Sequence, residues 1–414
     1  MHIFIIGYVW PEPNSSAAGH RMMQLIAGFQ TQNMKITFAT PAQVSEHQVD
    51  LNALDIKTQT IELNSASFDE IIQQASPDVV IFDRFMMEEQ FGWRVEKYCP
   101  TALRVLNTED LHSLRQARQK AVKANATFTL QDMHTDIGLR EIAAILRSDL
   151  TLMISSYECQ LLKEHFSIQD YQLLHLPFML MSPSENEIQQ LPSFQERQHF
   201  VSIGNFRHEP NWDMVLQLKQ HIWPLIRQQL PKAELHVYGA YPPPKATQLH
   251  NERHGFLIKG WAQSSYDVMK QARICLSPLR FGAGIKGKLV EAMTTGTASI
   301  TTEVGAEAMH DDLVWNGNII NEAQENWQTY FAQAAISLYQ DKEKWQACQH
   351  YGFGILKQCY YKPHWQAVLI ERLMEAKQQQ EHYRKINFMG LMVRHHSLKS
   401  TQYMSQWIAA KNSQ

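Results

Sequence analysis

The 414 residues contain five cysteines, Cys99, Cys159, Cys275, Cys348 and Cys359, scattered and never spaced as CxxC. An odd, unpaired set argues against a disulfide framework or a zinc ribbon and suits a reducing compartment. No apolar run approaches the roughly 20 residues that cross a bilayer. The opening stretch MHIFIIGYVWPEP has no basic leader, and prolines interrupt it early. A cytoplasmic protein is therefore expected, with a peripheral contact at a membrane face still compatible. Low-complexity tracts and short-period repeats are absent, which removes solenoids and fibres. Charge of one sign is also missing: 38 Lys and Arg stand against 41 Asp and Glu. No overall field would hold nucleic acid, so any attraction to phosphate is local. The nineteen histidines include a pair at 395 and 396, but none is spaced with a second ligand pair for a metal. No bound metal is expected.

What the chain does have is a repeated alternation of short β-branched runs with helical stretches. HIFII, KITFAT, DVVIF, ALRVL and LTLMIS form one series, and FVSIGNF, AELHVYG, GFLIKG, RICLSPL and ASITTE a second. This is the pattern of two α/β units, each a doubly wound parallel sheet covered by helices. The length agrees with two large domains. The expected division is 1–185, a polar linker at 186–199, a second domain at 200–370, and a helical segment at 371–414 that crosses back and packs over both units. In such sheets the ligand crevice lies at the carboxyl ends of the strands.

One stretch after a strand draws attention. SPLRFGAGIKGKLVEAM, residues 277 to 293, carries Gly282, Gly284 and Gly287, then Lys286 and Lys288, and Glu291 near the start of a helix. Glycines let backbone N–H groups approach a ligand, and a loop feeding a helix N-terminus binds anions. Two lysines add positive charge, so a diphosphate is the natural guest. Glu291 would repel a phosphate but suits a neutral diol such as a ribose. The same residues also fit an ordinary glycine-rich turn with solvated lysines, and spacing alone leaves both readings open. In the first half, Arg115 and Arg118 lie one helical turn apart after the strand ALRVL. They suit either an anionic or hydroxylated acceptor, or a solvated helix face.

The stretch SIGNFRHEPNWD, the loop RFGAGIKGKLVEAM and the following TTGTASITTEVGAEAM together resemble the GT-B glycosyltransferases, specifically the retaining family 4 type. The resemblance runs over nearly the whole chain and is strongest from 199 to about 309. It implies transfer of a hexosyl group from a nucleotide-diphosphate sugar to a hydroxyl on a sugar, lipid-linked or protein acceptor, with no cofactor beyond that co-substrate. By the same resemblance Arg207 and Lys288, or Lys286, hold the diphosphate, Glu291 the ribose, and Trp261 flanks the base. Gly19 borders the phosphate, and His112 sits beside the reacting sugar. Ala283 stands where the family's earlier glutamate is expected, which bears on the contacts to the donor sugar. The lack of any DxD triplet suits a fold that neutralises the leaving diphosphate with cations and helix dipoles. Three rivals stand beside this reading: an inverting transferase with His20 as base, a non-catalytic nucleotide-sugar-binding homologue, and a sugar-nucleotide epimerase.

Overall fold

A computed structural model describes residues 1–412. The first domain is a seven-stranded, all-parallel sheet. Its strands are β1 (His2–Ile6), β2 (Lys35–Thr40), β3 (Lys57–Thr60), β4 (Val79–Asp83), β5 (Leu103–Asn107), β6 (Leu150–Met153) and β7 (Leu173–His175). They lie in the order β3-β2-β1-β4-β5-β6-β7. The second domain has β8 (Gln198–Ile203), β9 (Leu235–Tyr238), β10 (Phe256–Gly260), β11 (Ala272–Ser277), β12 (Ala298–Thr302) and β13 (Gly317–Ile320), ordered β10-β9-β8-β11-β12-β13. The expected pair of doubly wound parallel sheets is what the chain forms.

Central strands are apolar on both faces because helices cover both; β4 and β5 are buried along their whole length. The three strands that the sequence pattern did not reveal, β3, β7 and β13, all lie at sheet edges. KTQT has no fully buried residue, GNII is half-buried throughout and LLH is only three residues long, so none needs a long apolar run.

The chain leaves the first domain after β7 and enters the second at β8. It crosses back where Leu180 and Tyr361 form a parallel bridge. The N–H of Leu180 donates to the Tyr360 carbonyl and the N–H of Lys362 to the Leu180 carbonyl, each at 2.8 Å. The second domain thus ends near Tyr360, about ten residues before the expected 370. The helical pattern runs on past this point, which hides the boundary, while Pro363 in the first turn of the Lys362–Gln378 helix marks it. Beyond it, Leu369, Leu373 and Ala376 join the core of the first domain, beneath β1 and β5. Asp149 binds Arg384 at 2.6 and 2.7 Å, and Arg394 donates to the Arg147 carbonyl. The C-terminal segment does cross back, but it packs on the first domain alone and not over both units, because its apolar positions and arginines find partners there. Its last two residues, 413 and 414, lie outside the described residues.

Candidate active site

Strand order reverses between β1 and β4 in the first sheet and between β8 and β11 in the second. Each reversal opens a crevice at the carboxyl ends of those strands. The two crevices face each other, and the loops that line them are in contact.

In the second domain, the glycine loop leads into the Gly287–Thr294 helix, whose flanking residue is Lys286. Opposite stands the Ala17–Gln30 helix of the first domain, capped by the Ser16 hydroxyl. A Cβ placed on Gly287 would lie 2.7 Å from the Ala17 Cβ, so two helix N-termini converge on one point. The leading N–H groups of a helix have no intrahelical partner, and their dipoles favour an anion. Lys288 lies beside them. Its ammonium donates to Asn211 Oδ1 at 2.6 Å and forms no ion pair with a carboxylate among the described residues. Enclosure without a counter-ion lowers Lys288 to about 8. Lys286 is buried and donates to the Gly284 carbonyl at 2.9 Å.

Arg207 follows β8 in a loop held by Asn205 and Asn211, which link the Arg207 N–H and the Asn205 carbonyl. Its guanidinium lies 3.9 Å from the centre of the Tyr241 ring. Glu291, one turn beyond Lys288, accepts from the Ser265 hydroxyl. Burial raises its carboxyl above the ordinary range, an effect opposed by that hydrogen bond. Trp261 follows β10 and reaches the other domain: its indole donates to Ser15 Oγ at 3.2 Å and its face stacks on His47 at 4.2 Å. Arg207, Lys288, Glu291 and Trp261 thus all lie in segments that follow strands β8, β10 and β11 of the second domain.

The first domain supplies the opposite wall. Asp83 and Arg84 end β4, and Glu109 and Asp110 follow β5. Arg84 and Glu109 both have positive φ, 73° and 65°. Such conformations cost a non-glycine residue of order 1–3 kcal/mol and gather at functional sites. Arg84 lies over the Tyr8 ring, whose backbone N–H donates to Asp83. Asp110 pairs with Arg115, and that charge holds its carboxyl far below the usual range despite burial. His112 opens the His112–Lys123 helix, with its ring 3.5 Å from Asp110 and edge-on to Phe85. Burial, aided by Arg115 and Arg84, lowers it to about 4, against the pull of Asp110. Its imidazole is neutral near pH 7 and can donate or accept a hydrogen bond.

Several expectations are corrected by these positions. Arg115 and Arg118 do not form a paired acceptor surface. Arg115 is spent on Asp110, and Arg118 is buried across the domain boundary on Glu307, at 2.7 and 2.9 Å, and on the Gly282 carbonyl at 3.0 Å. Gly284 does not offer its N–H to a ligand; it donates to Glu158 of the first domain. Burial beside Asp110 raises the Glu158 carboxyl. Gly282 contributes its carbonyl to Arg118. Gly19 gives its N–H to the Ser16 cap, and a Cβ there would strike the Glu12 backbone at 2.5 Å. All three glycines make close contacts that bring loops together. Ala283 packs on the apolar core of the first domain. His20 stacks on Phe178, which itself borders Gly287.

Asp83, Arg84, Glu109, Glu158 and Glu307 were missed. The first three directly follow or end strands, the signal that could have found them, but a left-handed backbone and contacts across domains leave no mark in one sequence. The fold also assembles a trio absent from the sequence spacing, His199, Glu234 and His236. It lies at the amino ends of β8 and β9, away from the cleft, and Lys259 faces it as a competing cation.

Two Rossmann-like domains facing each other across such a cleft are the GT-B fold. Residues 197–341, in the second domain, match the family model of the glycosyl transferases group 1. Among solved structures, a glycosyltransferase from Rickettsia africae superposes with TM-score 0.64 at 10% identity, over 91% of this chain and 98% of that one. A sucrose-phosphate synthase from Thermosynechococcus elongatus gives 0.65 at 14%, over 91% and 100%. HepE from Anabaena, in complex with UDP and glucose, gives 0.64 at 12%, over 91% and 100%. At these identities the likeness is one of fold. No curated protein matches the chain.

Proposed function

We propose that the protein transfers a hexosyl group from a nucleoside-diphosphate sugar to a hydroxyl acceptor in polysaccharide or glycoconjugate assembly, with retention at the anomeric carbon and without a metal. The observation that carries this is Lys288: an enclosed ammonium with no carboxylate partner, set where two helix N-termini meet and one turn before Glu291. An uncompensated buried cation is costly unless a ligand supplies the opposite charge.

As the bond from sugar to diphosphate breaks, charge grows on the leaving oxygens. Lys288, Arg207 and the helix amides stabilise that charge more than the ground state. Glu291 takes the ribose hydroxyls, and Trp261 borders the base. Neutral His112 hydrogen-bonds the reacting sugar from the opposite wall. Same-face attack, assisted by the leaving diphosphate, is what the resemblance to the retaining family 4 type implies. HepE, which binds UDP and glucose, makes UDP the first nucleotide to try. Unpaired cysteines and the absence of a membrane-spanning helix among the described residues fit action in a reducing cytoplasm.

A panel of nucleoside diphosphates in a thermal-shift assay tests the donor site, because a ligand raises stability with the logarithm of its concentration over Kd. A shift with one of them that disappears in Lys288→Ala is expected; no shift with any would overturn the reading. Proton NMR of the product anomer tests retention. The second reading, inversion with His20 as base, has one observation in its favour: His20 lies on the same convergence of helices, through Phe178. An inverted product would establish it.

A further inference from the structure

The C-terminal helices form a surface that the cleft does not use. From Phe388 the chain is helical to Asn412, widening to π turns over Arg394–Leu398. One side is fixed to the first domain: Arg394 within the wide turn bonds the Arg147 carbonyl, Asn387 donates to Leu146, and Ser405 meets Arg94. The other side carries large apolar groups in water, among them Phe388 (67% exposed), Met389, Met392, Tyr403 (64%), Met404 and Trp407 (60%). A patch of this kind on an otherwise well-buried chain marks an interaction site.

Its charge is as distinctive as its apolarity. Residues 382–412 contain five Lys and Arg and no Asp or Glu, while the whole chain holds more acids than bases. Lys399, Tyr403, Trp407 and Lys411 recur every fourth residue, one slanting stripe along the helix. Lys411 lies 5.3 Å from the Trp407 ring centre, and Lys385 stands exposed before Phe388. Two copies meeting through this surface would set lysine against lysine with no carboxylate to answer. Aromatic rings flanked by lysines suit instead the headgroup level of a bilayer, where the rings enter the apolar boundary and the ammonium groups meet anionic lipid.

We infer that the 385–411 surface docks the protein on an anionic lipid bilayer. The rigid anchoring through Asp149 presents the patch ready-formed and ties its orientation to the first domain. This does not depend on the transferase reading, since its readout is lipid binding alone.

The test is co-sedimentation of the full chain with vesicles of phosphatidylcholine alone or mixed with phosphatidylglycerol, at low and high salt. Binding to the mixed vesicles, weakened by salt, with a blue shift in tryptophan emission that Trp407→Ser removes, is expected. Replacing Lys385, Lys399 and Lys411 by Gln should weaken binding on the order of a hundredfold. Phe388→Ser with Trp407→Ser should abolish it, while the melting temperature and circular dichroism of the unliganded protein stay at the parent values and report an intact fold. Failure to bind mixed vesicles at low salt, or binding indifferent to both sets of substitutions, overturns the proposal. So does a stable dimer in light scattering that Trp407→Ser dissociates, because a second copy would then cover the patch.

Discussion

Gly287 and Ala17, the first residues of two helices from opposite domains, leave no room between them for a methyl group. The closeness of the two helix dipoles, and hence the anion site, rests on this contact. Gly287→Val should force the domains apart, lowering kcat/KM at least tenfold while nucleotide binding to the second domain largely survives. Parallel turnover and thermal-shift measurements check this.

Lys288 is held in place by Asn211 and has no carboxylate partner among the described residues. Lys288→Ala should lower turnover on the order of a hundredfold, about 3 kcal/mol of transition-state stabilisation. Lys288→Met should also raise the melting temperature of the empty protein at pH 7, because an enclosed charge without a partner is removed. A fall in melting temperature would mean that the ammonium is satisfied by something other than a ligand.

The same residue sets a pH dependence. With Lys288 lowered to about 8 in the empty protein, a diphosphate that favours its charged form will draw in a proton on binding. Nucleotide affinity should hold below pH 7 and fall as pH rises through 8, approaching tenfold per unit. Calorimetry in buffers of differing ionisation enthalpy should show proton uptake near pH 8, absent in Lys288→Ala.

Arg118 and Glu307 join the domains behind the glycine loop with two hydrogen bonds. Arg118→Ala leaves Glu307 partly buried with Lys286 as its remaining nearby cation, which weakens the closed arrangement by less than the loss of a fully isolated pair. A larger radius of gyration in solution scattering and a higher KM for donor are expected, with Glu307→Gln milder than Arg118→Ala.

His112 is neutral near pH 7 because its surroundings exclude the charged form. Its titration should leave no step in the rate profile between pH 5.5 and 7.5, and His112→Ala should lower kcat more than it raises KM. A limb near pH 6.5 that vanishes in this variant would contradict the neutral role.

The sequence disclosed every interior strand and one edge, β10, but concealed the other three edges, since burial on two faces forces an apolar run that an edge such as KTQT does not need. On the second domain, the places of Arg207, Trp261, Lys288 and Glu291 after β8, β10 and β11 were legible, the first two through the resemblance and the last two through the glycine loop as well, while their roles toward a donor belong to the proposal. The glycines were legible as special but not as to purpose: Gly284 and Gly287 are bare so that another domain can approach, a contact separated by more than a hundred residues. Arg118, read as an acceptor contact or a solvated helix face, hid its role for the same reason. Its partner Glu307 lies 189 positions away, and no local periodicity connects them.

The two covalent passages between the domains lie side by side, with Leu180 bridged to Tyr361. A body held to another by adjacent threads can swing about them far more easily than it can slide. The cleft should therefore open like a book with its spine at this bridge, and the terminal helices, fastened to the first cover, will travel with it as the second turns away.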